Sequence, residues 1–231
     1  MWHVLPHCQD MPFAAPRRTL PRVSSKPPSL TERRKAATQL DIARAAAELF
    51  TQRGPGGTTA EDIAERSGVA LRTFYRYFRN KQDAVGPLLA AGGDRWRALL
   101  AATEPGAALP ESLERAMREA LAVPDEHAAD GLRQTRALLR AAAADPALRA
   151  VWYRVNQESE EKLLPVLTRL AGPDADELRI RLAAAAATDA LRVALEVWAA
   201  TDAGLTGPGS PVELAVRCLR ELVGGMRSPA E

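Results

Sequence analysis

The sequence predicts an all-α protein, and three observations predict it. Leu and Ala abound while Val, Ile, Thr and the aromatics are sparse, so the summed propensity favours helix. Apolar residues recur at helical spacing, and no alternating run bounded by hairpin turns interrupts them. Breaks rich in Gly and Pro, such as Gly54-Pro55-Gly56-Gly57, Glu104-Pro105-Gly106, Gly172-Pro173 and Gly207-Pro208-Gly209-Ser210-Pro211, cut the chain into about nine helix-sized pieces.

Residues 1–29 carry Pro6, Pro12, Pro16, Pro21, Pro27 and Pro28 with no helical periodicity, which predicts a disordered tail made basic by Arg17, Arg18, Arg22 and Lys26. A solvated tail is the preferred reading over a flexible basic arm that contacts a partner. His3, His7 and Cys8 have a metal-like spacing, but a proline-broken segment is a poor scaffold for ligands, and no metal or other cofactor is expected. Order is expected to begin near Leu30, with Thr31 capping a helix that runs to about Arg53 and buries Ile42, Ala46, Leu49 and Phe50. Thr59 and Asp62 have capping-box spacing for a short second helix that turns Ile63 and Ala64 inward. Gly68 supplies the tight turn into a third. Lys81-Gln82-Asp83 opens a fourth, interrupted or restarted at Gly86-Pro87 and reaching about Thr103.

The remaining helices follow with clear stops. Pro110 to Val123 has Leu113, Met117, Ala120 and Leu121 as its apolar stripe, and Asp125 or Glu126 to Ala143 comes next. Pro146 to Leu170 contains Pro165, which is expected to kink or divide it. Pro173 to about Thr201 and Pro211 to about Met226 complete the set. A chain of 231 residues has room for a small and a medium domain, and the boundaries read as 30–84 and 85–231 after the 1–29 tail.

The formal net charge of +2 conceals an asymmetry. Residues 1–83 hold 14 Lys/Arg and 8 Asp/Glu, a net of +6, and the rest of the chain carries a net of −4. A basic head on a mildly acidic body suits contact with a polyanion at one end. Two distant cysteines, Cys8 and Cys218, suggest neither a disulfide framework nor a zinc ribbon. No apolar run approaches the roughly 20 residues needed to cross a bilayer, and the N-terminus lacks a signal-peptide pattern, so a cytoplasmic protein with no membrane partner is expected. Enzyme chemistry has little to stand on. His127 is the one histidine outside the tail, and no Walker A or GxGxxG motif follows a strand.

The third helix carries the functional signal. At 100° per residue, Leu71, Phe74 and Phe78 cluster on one side, while Arg72, Thr73 and Arg76 lie opposite, with Tyr75 and Tyr77 at the flanks. Arg pairs bidentately with guanine, and Thr offers a hydroxyl to a base edge or a methyl to thymine. Tyr hydroxyls and Lys81 suit phosphate oxygens, as do the backbone N–H groups at Thr58 and Thr59. Such a helix fits the major groove of double-stranded DNA.

Thr58-Thr59-Ala60-Glu61-Asp62-Ile63-Ala64, Ser67-Gly68-Val69, Thr73-Phe74-Tyr75-Arg76-Tyr77-Phe78 and Asn80-Lys81, in that order, resemble the N-terminal domain of TetR-family regulators over roughly residues 31–85. The resemblance implies an all-helical homodimer with a three-helix DNA-binding head, a connecting fourth helix, and a divergent body that binds an effector and the second subunit. It implies DNA contacts at Thr59, Arg72, Thr73, Tyr75, Arg76, Tyr77 and Lys81, and repression as the usual mode. Two residues depart from the family pattern. Ala70 stands where a capping Ser or Thr is usual, and Leu71 where a polar residue is common.

For the body, Trp96, Met117, Leu121, Leu138, Trp152, Asn156 and Thr188 are candidates to line a pocket for a small-molecule effector of unknown identity, each also suited to plain core packing. Leu182, Ala186, Leu191, Leu195 and Trp198, with Val212, Ala215, Leu219 and Val223, are candidates for a dimer interface built as a four-helix bundle; the same residues would serve as an internal core. Two heads about 34 Å apart would match one turn of duplex and a palindromic operator. The competing reading is a helical interaction or small-molecule-binding protein whose head no longer binds DNA.

Overall fold

The computed structural model describes residues 29–224, and all regular structure among them is helical. The helices are α1 (Leu30–Arg53), α2 (Ala60–Arg66), α3 (Leu71–Tyr77), α4 (Gly86–Ala101), α5 (Leu109–Ala120), α6 (Glu126–Ala144), α7 (Pro146–Ala171), α8 (Glu177–Ala199) and α9 (Pro211–Gly224), with a 3-10 turn at Asp83–Val85 before α4. Residues 1–28 of the expected tail, with His3, His7 and Cys8, lie outside the described residues, while Ser29 is described as part of the start of α1.

Chain-local chemistry sets most of the boundaries. Ser29, rather than Thr31, caps α1: its hydroxyl accepts from the Glu32 N–H (3.2 Å), and the Glu32 carboxylate accepts from the Ser29 N–H (2.7 Å). Thr31 has Arg34 three residues on and no acidic group to close such a box. Gly54, at φ 72°, ends α1. The expected box at α2 is present, with Asp62 N–H to Thr59 Oγ1 at 3.0 Å and Thr59 N–H to Asp62 Oδ2 at 2.8 Å. Gly68, at φ 69°, makes the turn into α3.

In the body, α7 runs unbroken through Pro165, whose ring is exposed; the bond it removes would have ended at the carbonyl of Glu161, on the solvent-facing side of the helix, where losing it costs least. Helix α8 starts at Glu177, four residues later than Pro173, because the Asp176 side chain caps it by accepting from the Leu178 N–H (3.0 Å).

Arginines from neighbouring helices reach carbonyls at two helix ends that the local bonds leave over. Arg169 of α7 donates to the carbonyls of Ala101 (2.9 Å) and Thr103 (3.1 Å) at the end of α4. From α6, Arg140 reaches the carbonyls of Ala199 and Thr201, both at 2.7 Å, while Arg136 bonds the Ala203 carbonyl and lies 3.9 Å from the Trp198 ring centroid. A cation at a helix C-terminus satisfies orphan carbonyls and opposes the dipole, so α6 fixes where α8 ends.

Helix α9 is fastened to α5 by charge. Arg220 donates to Glu114 from Nε (2.8 Å) and a terminal nitrogen (2.6 Å), and Arg118 donates to the same carboxylate (2.9 and 3.1 Å). The Arg220 hydrogen bonds, aided by Arg118 against partial burial, hold the Glu114 carboxyl down at about 2, from an ordinary 4.5. A folded value below the unfolded one means stabilisation that is complete above about pH 4.5 and lost as pH falls toward 2. Glu114→Gln is therefore expected to lower stability at pH 7 by about 0.5–1 kcal/mol in urea titrations, with the gap to the parent closing on acidification.

Candidate nucleic-acid interface

Helices α1, α2 and α3 pack around Ile42, Leu49, Phe50, Ile63, Phe74 and Phe78, all buried. Phe74 holds α3 in place: it is fully buried, meets Phe78 at 5.7 Å between centroids, and takes the edge-on Tyr75 ring at 5.3 Å. With that side pinned, Arg72, Tyr75, Arg76 and Arg79 are exposed, and Thr73 and Tyr77 are half-buried. Leu71 is half-buried against the core, so packing occupies much of its surface.

The exposed groups are not equivalent. One terminal nitrogen of Arg76 donates to the Tyr77 hydroxyl (3.2 Å), and its guanidinium lies 4.9 Å from that ring's centroid, so Tyr77 holds Arg76 in one direction. Arg72, in the first turn of α3, has no side-chain partner among the described residues, which leaves its donor fork free. Exposed Arg33, Arg34 and Lys35 on the first turns of α1 are likewise unpaired, a cluster that sequence reasoning about α3 passed over. Three consecutive cations beside a helix start were the available signal.

Thr58, expected among the DNA contacts, is a correction. It is fully buried, its hydroxyl donating to the Gly54 carbonyl (3.0 Å), so no part of its side chain is offered outward. Its own carbonyl accepts from Lys81 Nζ (2.8 Å), which makes Lys81 a strut between the segment after α3 and the loop before α2. Thr59 stays exposed at the start of α2, with its N–H and hydroxyl engaged in the capping box.

Helix α3 lacks the side-chain cap that α1 and α2 have: Ala70 makes no side-chain bond, and its carbonyl alone receives the Thr73 and Phe74 N–H groups (2.7 and 3.1 Å). Ala70→Ser is expected to stabilise the chain by about 1 kcal/mol, read as a rise in Tm of about 2–4 °C.

Side chains just past α3 tie the head to the body. Gln82 donates to Asp145 (3.2 Å), the residue that caps α7, and Arg154 of α7 bridges Asp83 (3.0 Å) and Glu158 (2.9 Å).

Of the candidate effector residues, Trp96, Met117, Leu121, Leu138 and Trp152 are brought together in one buried core. Asn156 and Thr188 instead border an open recess between α7 and α8. The Trp152 indole donates to Glu196 (2.7 Å), whereas Trp96 Nε1, Ser112 Oγ and Thr188 Oγ1 are buried without hydrogen-bond partners.

The dimer candidates divide. Leu191, Leu195, Trp198, Ala215 and Leu219 are buried in this chain's own core, which corrects their assignment to a subunit interface. Leu182 is 50% exposed, Ala186 and Val212 are half-buried, and the Val223 side chain lies outside the described residues. The outward edge of α8 carries Leu178, Leu182, Ala185, Ala186, Val193 and Val197 on one stripe, which the exposed Asp189, seven residues after Leu182 and four before Val193, interrupts; α9 adds Leu214, Cys218 and Leu222 at four-residue spacing.

Residues 42–85 match the model of the family described as bacterial regulatory proteins, tetR family. The HTH-type transcriptional regulator TcmR of Streptomyces glaucescens is 29% identical over 152 residues, 65% of this chain and 67% of TcmR. The HTH-type transcriptional repressor Rv3405c of Mycobacterium tuberculosis is 36% identical over 90 residues, 37% of this chain and about half (48%) of that protein. Among solved structures, a TetR-family regulator from Syntrophomonas wolfei superposes with a TM-score of 0.56 at 18% identity, covering 85% of this chain and 98% of that one. The multidrug binding protein EbrR, complexed with imidazole, gives 0.51 at 22% identity, covering 83% and 96%. A capped two-helix turn, an α3 with its aromatics inside and its arginines outside, and relatives that are transcriptional regulators converge: residues 42–85 carry the tetR-family DNA-binding domain, and the chain is similar to TetR-family transcriptional regulators beyond it.

Proposed function

We propose that this regulator is an effector-responsive repressor, that two copies bind one operator of approximate two-fold symmetry, and that residues 30–84 form the DNA-binding head and 85–231 the body. One observation carries the reading: α3 presents Arg72, Thr73 and Arg76 outward from a seat fixed by buried Phe74, with the Arg72 fork free to meet a base pair. Tyr75, Tyr77, Thr59 and Lys81, with Arg33, Arg34, Lys35 and Arg79, supply groups suited to phosphate.

One such helix spans too few base pairs for tight binding, and the apolar edge of α8 with its neighbour on α9 offers the surface through which a second copy would double it. The mycobacterial relative named a repressor supports the direction of control. Thr188 Oγ1, buried without a partner beside the recess between α7 and α8, supports a site that a bound molecule completes. An effector that prefers the state with mis-spaced heads would shift the population away from DNA, and the Gln82–Asp145 and Asp83–Arg154 contacts are the couplings that such a shift would strain. No catalytic step belongs to this reading, and the chromosome as partner places its action in the cytoplasm.

Footprinting on the DNA that flanks its own gene tests the core of the reading. Paired protection about one helical turn apart is expected, with affinity falling steeply as salt rises. Protection of a single unpaired site, or none at low salt, would overturn it.

A further inference from the structure

The recess between α7 and α8 has a volume of about 360 Å3, room for a molecule of small aromatic size, and its walls are polar. Thr188 is 4% exposed and its hydroxyl has no partner, an arrangement that costs about 1–3 kcal/mol unless something completes it. Asn156, 9% exposed, donates its amide nitrogen to the Trp152 carbonyl (2.8 Å), which leaves its oxygen available as an acceptor. The half-buried Glu160 carboxylate has no ion-pair partner among the described residues.

Charge on these walls selects the ligand class. The positive group, Arg192, is already committed: its guanidinium meets Asp189 (2.9 Å) and Glu196 (3.1 Å) and lies 5.6 Å from the Tyr153 ring centroid. An anion entering here would find that charge neutralised and would face the Glu160 and Asp189 carboxylates. A protonated amine would find Glu160 for charge, the Asn156 oxygen and Thr188 hydroxyl as acceptors, and aromatic surface at Tyr153. We infer that this recess is the effector site and that it takes small organic cations, primary amines bearing a compact apolar group. The inference rests on the effector-responsive reading of the body.

The test uses the full chain and three probes of one shape: phenethylamine, charged at pH 7, with phenethyl alcohol and phenylacetate. In titration calorimetry the amine is expected to bind at least about tenfold tighter than the alcohol, as a charge-assisted hydrogen bond requires, and phenylacetate not at all. Glu160→Gln is expected to remove that tenfold preference, and Thr188→Val to weaken the amine and the alcohol alike, with thermal melts confirming folded variants. Equal affinity for amine and alcohol, or no binding of the amine to the unmodified chain, overturns the cation site without recourse to any variant; a recess filled by a second subunit's side chain would give the latter result. Operator affinity, measured with and without the amine, separates the two claims. Amine binding that leaves DNA binding unchanged keeps the cation site and overturns its role as effector site.

Discussion

Arg72→Ala is expected to weaken operator binding by about 30-fold to 10⁴-fold. The estimate starts from about 1–3 kcal/mol for one bidentate arginine–base contact, counted twice for two copies on a two-fold operator. Arg72 is chosen over Arg76 because its guanidinium is unengaged and because first-turn residues of a recognition helix reach base edges. Arg76, held by the Tyr77 hydroxyl and ring, is better placed as an oriented cation for the backbone. The two roles separate in fluorescence anisotropy against operator and scrambled duplex at matched salt. Arg72→Ala should cost operator affinity far more than scrambled-DNA affinity, and Arg72→Lys, which keeps the charge and loses the planar fork, should behave like alanine on the operator. Arg76→Ala should weaken both duplexes alike and lower the salt slope by about 1 per copy. Equal, small losses on both duplexes for Arg72→Ala would remove it as a base reader.

The head was legible because its signals are local. A Thr59–Asp62 box, a glycine at φ 69° and aromatics three and four residues apart each dictate geometry within a few residues, and each stands where the sequence placed it. The errors there come from tertiary context. Thr58 looks like an exposed loop threonine, yet the loop folds back so that Lys81, 23 residues away, reaches its carbonyl. The body was legible as helices and not as surfaces. On α8, Ala or Leu occupies so many positions around the axis that periodicity offers more than one apolar edge. Which edge turns inward is decided by α6, α7 and α9, since Trp198 is claimed by Arg136 and its indole donates to the Gly204 carbonyl (3.1 Å). The same context governs the effector residues. Trp152 and Trp96 read alike in sequence, but the first has Glu196 opposite its indole and the second has no partner.

Leu182→Glu is expected to convert the protein to a monomer that remains folded, and to abolish specific operator binding at concentrations that saturate the parent. Half of Leu182 is exposed in the single chain, so the substitution removes little core and should change chemical stability by no more than about 0.5 kcal/mol. In a two-fold assembly through the outer edge of α8, the residue occurs once per subunit on the same patch, and two carboxylates are forced into an apolar contact. Such a juxtaposition costs several kcal/mol, enough to raise the dimer dissociation constant by at least about 10³-fold. Trp198→Ala is the discriminating control. Its indole is fully buried between α6 and α8, and truncation should cost about 3–5 kcal/mol of folding stability, a large fraction of the 5–15 kcal/mol typical of a domain. Sedimentation velocity and urea titration on the two variants therefore have opposite expected signatures: lost assembly with intact stability for Leu182→Glu, lost stability for Trp198→Ala. A Leu182→Glu protein that still sediments as a dimer would move the subunit contact off the α8 edge. The two-fold operator would then need another surface to span it, because the buried face of α8 is already occupied by the chain's own core.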